Sequence, residues 1–227
     1  EQPRRSTTGV KTVGQTSVPE GQPIPFSLKV TNNGNLPLVD PVISDPPTGA
    51  DGRPDSTRPN PFSTLRITSA KVSASGLPPV AIELYDPSVT AWVAYDASNA
   101  ALLERAEGVR AAMNGELAPT KGFTLDLVTQ RRSGTPDDVK ILNCFTTSAD
   151  GYVADDPACS PEITTGPTSD AASINKSIMP PQLPTFVPGL PRQYATVELS
   201  TLNTGNLSMS TLRLTDSDAT FFDAVDF

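Results

Sequence analysis

The sequence predicts an all-β protein, and three observations carry that expectation. Of 227 residues only 19% are charged and 37% hydrophobic, while 24 prolines and 15 glycines punctuate the chain, which suits short strands and tight turns better than a helical bundle. A strict period-two alternation marks the first clear strand. A hairpin pattern beginning near Val30 returns from Leu199, close to the last residue of the sequence.

That first strand is IPFSLKVT, with Ile24, Phe26, Leu28 and Val30 on one face and Pro25, Ser27, Lys29 and Thr31 on the other, so one face is buried and one is wet. NNGN then reverses the chain, with Gly34 expected to take a positive φ between asparagines that bond their own backbone. LPLVDPVISD follows, and its apolar parity changes between Val39 and Asp40, where one extra residue, a bulge, would restore it. After a polar loop from Asp45, the segments LRITSAKVS, PVAIELY and TAWVAY read as strands. NAALLERAEG reads as one or two helical turns capped by Asn99. VRAAM, KGFTLDLVTQRR and DVKILNCFTT complete the strand set, and SPEITTGPTSD reads as an interdomain linker.

Aligning Gly34 with Gly205 also pairs Asn32 with Asn203, Asn35 with Asn206 and Asp45 with Asp216. The parity break recurs, with Leu207 and Met209 followed by Leu212 and Leu214. A lysine and then Pro and Gly precede each strand, KTVGQTSVPEG from Lys11 and KSIMPPQLPTFVPG from Lys176. A period this long signals tandem domains rather than a solenoid. The expected organisation is one sandwich over 9–165, elaborated by an insertion at about 51–132, then a linker and the incomplete N-terminal part of a second repeat over 166–227. The insertion reads either as extra strands or as a small second β domain. The opening EQPRRSTTG, with neither Met nor an apolar leader, reads as the start of a processed or excised piece.

A net charge of −8 and a pI near 4.5 repel phosphate backbones, which argues against nucleic acid as a partner. No apolar run of about 18 residues is present to insert in a membrane. Cys144 and Cys159 fit neither a redox C-x-x-C nor a zinc pattern. One disulfide between them is the economical reading, with a loop-closure contribution of about 3 kcal/mol and an oxidising, exported setting; two buried thiols are the alternative. With no histidine, His-based triads and the commonest transition-metal ligand are absent. Asp137–Asp138 and Asp155–Asp156 are the carboxylate pairs available for glycoside hydrolysis, but adjacent strand residues point to opposite faces, so no catalytic residue is nominated. No glycine-rich phosphate loop is present.

The Lys-led strand, Gly turn, alternating strand, N-x-G-N, apolar pair and closing Asp resemble the tandem immunoglobulin-like repeats of large bacterial cell-surface and S-layer-associated adhesin-like proteins. The residues carrying the resemblance are Asn32, Gly34, Asn35, Leu38 and Asp45, and again Asn203, Gly205, Asn206, Met209 and Asp216. Ile141 to Asn143 is similar to the family's last strand. The resemblance implies an immunoglobulin-like β-sandwich on an extracellular surface stalk, with neighbouring repeats as partners. It also implies that a first-strand lysine, Lys11, is placed to cross-link to a last-strand asparagine, Asn143, beside a buried acid; the alternative is that Asn143 bonds a turn.

No cofactor is called for. Calcium is the one metal considered, with oxygen ligands from Asp216 and Asp218 or from Asp150, Asp155 and Asp156; solvated acidic loops are the alternative. Trp92 and Tyr95 read as one core and one surface aromatic rather than a sugar-stacking platform. Asn175 and Asn206 match a glycosylation pattern that matters only in a eukaryotic source. The functional expectation is a non-enzymatic extracellular structural repeat. The rivals are an adhesin module binding a host or cell-surface protein or glycan through the middle insertion, and a filament or S-layer subunit assembling by strand addition.

Overall fold

The computed structural model describes residues 2–154, 156–167, 171–180, 194–205, 211 and 213–216. They belong to two compact units, Glu1–Pro167 and Thr168–Phe227.

In the first unit the strands run β1 (Thr7–Val13), β2 (Ser17–Val18), β3 (Pro23–Asn32), β4 (Leu38–Val39), β5 (Val42–Asp45), β6 (Leu65–Ser73), β7 (Val80–Asp86) and β8 (Ala91–Ala94). The helix α1 (Ala100–Arg105) follows, and then β9 (Val109–Met113), β10 (Glu116–Leu117), β11 (Gly122–Arg131), β12 (Lys140–Ile141), β13 (Cys144–Ala149), β14 (Tyr152–Val153), β15 (Ala158–Cys159) and β16 (Ile163–Thr165). One sheet has the order β1-β3-β11-β6 and the other β14-β13-β5-β9-β7-β8, with β15 beside β13. Short ladders β12-β16-β2 and β10-β4 complete an immunoglobulin-like sandwich.

β3 and β11 of one sheet and β9 of the other are buried on alternate residues, and the two inner faces meet in one core. Ile24, Phe26, Leu28 and Val30 of β3 lie beside Phe123, Leu125 and Leu127 of β11, against Ile43, Leu84, Val109, Ala111 and Phe145 of the facing sheet. The stretch 51–132 supplies β6 and β11 to one sheet and β7, β8 and β9 to the other, so its strands are integral to the sandwich. Asn99 caps α1, its side chain accepting from the N–H of Leu102 at 3.0 Å, and Leu102 and Leu103 reach the core.

Local expectations were modified in three places. The parity break after Val39 is a change of partner rather than a bulge in one ladder: β4 pairs with β10, β5 pairs with β9 and β13, and Asp40 turns the chain between them at φ 48°. Part of the expected linker is β16: Ile163 and Thr165 are buried, Ile163 facing Ile141 of β12 in an antiparallel ladder and Thr165 facing Val18 of β2 in a parallel one. Gly34 does not use a positive φ; its requirement is close approach. The N–H groups of Asn33 and Gly34 both donate to Ser6 O, at 3.0 and 3.2 Å, and a Cβ at Gly34 would lie 2.4 Å from the Arg4 carbonyl oxygen. Gly34→Ala is therefore expected to lower unfolding free energy by about 1–3 kcal/mol, read as a shifted denaturation midpoint; an unshifted midpoint would refute the steric account.

In the second unit, β17 (Ala172–Met179) and β18 (Thr196–Asn203) form an antiparallel hairpin.

Candidate functional site: a buried Lys-Asp-Asn cluster

Three polar residues that are rarely buried together meet at one end of the sandwich core. Lys11 sits on β1, where alternation turns it inward between exposed neighbours. Asp45 is the last residue of β5, and Asn143 lies just before β13. The side chains of Lys11 and Asp45 have no solvent exposure, and Lys11 Nζ donates to Asp45 Oδ2 at 2.5 Å. The rings of Phe26 and Phe145 stand 5.4 and 6.0 Å from Nζ and close an apolar wall around it.

Asn143 is also fully buried. Its amide lies against Asp45, close enough to favour the carboxylate, yet neither side-chain atom of Asn143 nor Oδ1 of Asp45 completes a hydrogen bond. An unpaired buried amide ordinarily costs about 1–3 kcal/mol, so such a group calls for an explanation. Its main chain, by contrast, is held: the carbonyl of Asn143 accepts from Ser160 N–H at 2.9 Å. The disulfide Cys144–Cys159 flanks this contact, joining β13 and β15 at directly opposed residues. Asn143 is thus held by neighbours on both sides of its own carbonyl.

Burial dominates the electrostatics. Desolvation lowers the Lys11 amine to about 8 against the pull of Asp45, and it raises the Asp45 carboxyl against the pull of Lys11. Both shifts favour neutral forms, an amine with a free lone pair beside a carboxylic acid. The sequence nominated Lys11 and Asn143 and read Asp45 only as the Asp closing the hairpin motif. The available signal was that Lys and Asp recur together, as Lys11 with Asp45 and as Lys176 with Asp216.

The hairpin residues have structural roles. Asn32 is buried and fully used, its Nδ2 donating to Leu36 O and Leu117 O at 2.9 and 2.8 Å while Oδ1 accepts from Gly34 N–H. Asn35 ties the turn to the chain's beginning through Arg4 N–H and Gln2 O. Asn203 Oδ1 accepts from Gly205 N–H at 2.9 Å; Asn206 and Met209 lie outside the described residues.

Among the described residues no group of three or more His, Cys, Asp or Glu is gathered as metal ligands. Asp216 accepts from Lys176, and Asp155 and Asp218 lie outside the described residues. Asp150 donates its N–H to Val39 O, and Asp156 lies in the same acidic loop without a gathered ligand set. Asp137 pairs with the buried Arg131 at 2.8 Å. Trp92 is half-buried and committed: Arg110 stacks over it at 4.7 Å, Tyr85 meets it edge-on, and its indole N–H donates to Gly52 O. Tyr95 points to the opposite face, where its hydroxyl accepts from Ala70 N–H. Among the described residues no helix is long and apolar enough to cross a membrane.

No protein-family model and no curated protein matches the sequence. Among solved structures, the chain is similar to the major pilin subunit BcpA of Bacillus cereus, with a TM-score of 0.40, 13% identity, and coverage of 89% of this chain and 56% of that one. The C-terminal domain of the Streptococcus pyogenes antigen I/II-family protein AspA gives 0.38 and 17%, covering 70% and 46% of the two chains. The full-length major pilin SpaD from Corynebacterium diphtheriae gives 0.40 and 8%, covering 75% and 36%. This chain thus spans about half the length of the first two.

Proposed function

We propose that this chain is a non-enzymatic structural module of an extracellular surface protein, a β-sandwich that locks itself with an amide bond between Lys11 and Asn143. One observation carries the reading: Asn143 is buried beside Asp45 with both amide atoms unpartnered, and Asp45 is bonded to an amine that burial has pushed toward its neutral form. The disulfide supports an oxidising compartment outside the cytosol. Neighbouring modules of the same surface protein are the natural partners.

The chemistry balances without cofactor or oxidant. Lys11 transfers a proton to Asp45, and the freed Nζ attacks Cγ of Asn143 while the Asp45 acid hydrogen-bonds the amide. The new N–C bond forms and the Cγ–Nδ2 bond breaks; Nδ2 takes up one proton from the amine and one from Asp45 and leaves as ammonium, so the chain loses the elements of ammonia and Asp45 returns to the carboxylate. Asp45 ends as it began, a proton carrier. Intact mass under denaturing conditions tests this: the folded chain should weigh about 17 Da less than its sequence plus one disulfide, with a branched Lys11–Asn143 peptide on digestion. The full sequence mass would sink the proposal.

The pH dependence of the reaction has a definite sign. The reactive pair, amine plus acid, carries the same number of protons as the ion pair, so the rate should be flat where that one proton is held. It should fall above about 8, where Lys11 gives the proton up, and fall again in acid, where Asp45 binds a second one. Timed mass spectra of unreacted chain refolded across pH would show the bell. A rate rising steadily through pH 10 would instead mean that Asp45 contributes nothing as an acid.

A further inference from the structure

The turn at Asn32–Asn35 holds more than itself. Residues 2–6, which lead into β1, pass beside it and are bonded to it throughout. The N–H groups of Asn33 and Gly34 donate to Ser6 O, and those of Asn35 and Leu36 donate to Arg4 O at 3.0 and 3.3 Å. The Asn35 side chain closes the series, its Oδ1 accepting from Arg4 N–H at 2.6 Å while its Nδ2 donates to Gln2 O at 3.0 Å. All of these bonds end on main-chain atoms of residues 2, 4 and 6, the two-residue period of a strand, and the side chains of residues 2–5 are exposed. A carboxamide carries the donor and acceptor of a peptide group, so Asn35 extends the ladder by one rung past the point where the backbone turns away. Gly34 serves the same segment, because a Cβ there would meet Arg4 O and Ser6 N.

The second unit distinguishes what grips from what is gripped. Its turn repeats the motif as Asn203, Thr204, Gly205 and Asn206, and the N–H groups of Thr204 and Gly205 converge on Ala171 O at 2.9 and 3.0 Å, as those of Asn33 and Gly34 converge on Ser6 O. The register agrees, with Ala172 facing Asn203 as Thr7 faces Asn32. Aligned on that register, the entering segments read QPRRS at 2–6 and PTSDA at 167–171, which match at no position. The turn recurs while the segment it meets does not, which is the pattern main-chain recognition leaves in a sequence.

We propose that the N-x-G-N turn is a main-chain clamp for an extended peptide, and that its occupant is the segment by which the chain enters each unit. Gly34 clears the lane, Asn35 supplies the last pair of bonds, and the side chains of the segment are left free to vary. Pro3 obeys the same rule, since no bond of the series needs the N–H it lacks. The direction of entry into β1 is thereby fixed from Gln2 onward with no demand on the sequence that enters. This inference does not depend on the Lys11–Asn143 bond.

Limited trypsin digestion of the folded full chain reads the clamp, because cleavage tracks the fraction of main chain released from its bonds. Asn35→Ala removes both side-chain bonds at an exposed position, and cleavage after Arg4 and Arg5 should accelerate about tenfold, with cleavage after Lys121 and Lys140 at the parent rate. A chimera that carries the second unit's residues around a retained Arg5 (Gln2→Pro, Pro3→Thr, Arg4→Ser and Ser6→Ala) should be cut after Arg5 within about threefold of the parent rate, and Asn35→Ala should accelerate it equally. Cleavage after Arg4 and Arg5 unmoved by Asn35→Ala would overturn the clamp. Acceleration shared by Lys121 and Lys140 would do the same, since Asn35 would then support the sandwich rather than the segment. A chimera cut as fast as Asn35→Ala would show that side chains hold the segment and would overturn main-chain recognition.

Discussion

Asn143→Ala should abolish the mass deficit and lower the stability of the first unit by about 5 kcal/mol, the loop-closure entropy of a tie spanning about 130 residues. For a protein of this size that corresponds to a midpoint lowered by roughly 10–20 °C. The variant isolates the covalent term, because it leaves Lys11 and Asp45 paired with one another. Asp45→Ala should be worse by about 3–5 kcal/mol, since it removes the proton carrier and strands a buried ammonium among Phe26 and Phe145. Lys11→Met, which removes the charge and fills the volume, should lie nearer Asn143→Ala. Differential scanning calorimetry with mass control orders the three. Asn143→Ala melting within a degree or two of the parent would show that no covalent bond had been lost.

Replacing both cysteines by serine is expected to act twice. Opening a loop of about 15 residues costs about 3 kcal/mol, seen in chemical denaturation. The second effect is kinetic: Cys159 and Ser160 hold the main chain at Asn143, so releasing them should slow ammonia loss during refolding by about tenfold or more, because a displacement near 1 Å at a reacting group has that scale of consequence. Gly34→Ala serves as the control, since it destabilises the sandwich without touching the cluster. If the double serine variant refolds and cross-links as fast as Gly34→Ala, the disulfide stabilises the sandwich but does not position the asparagine.

The strands were legible wherever one face is wet and the other dry. Ile24, Phe26, Leu28 and Val30 announced β3 because alternation is a local property, and Asn99 announced α1 because a cap and its helix are contiguous. The partner exchange at Asp40 showed as a parity fault, but its cause did not: β10 and β9 lie some seventy residues away, and nothing in LPLVDPVISD names them. The same limit hid the place of β11 between β3 and β6, which is long-range pairing. Gly34 was read as a conformational glycine when it is a steric one, a distinction that depends on where Arg4 passes. At the cluster, Lys11 and Asn143 came from a family resemblance, while the burial of Asp45 against Lys11 required the fold, because which carboxylate is stripped of water depends on long-range packing.

The positions of Lys11 and Asn143 along the chain have a consequence for a protein pulled from its two ends. With the proposed Lys11–Asn143 amide in place, tension entering through β1 would pass directly to Asn143, bypassing the residues between them. At about 3.3–3.6 Å per residue, those roughly 130 residues represent about 430–470 Å of hidden length. Without the bond, stretching could draw that length out as β1 peels from β3. With it, the first unit could lengthen only by the short segments outside the tie, and the loop from Cys144 to Cys159 is closed by the disulfide as well. In a force-extension trace such a module would register as a nearly inextensible link, and Asn143→Ala would restore the missing rip.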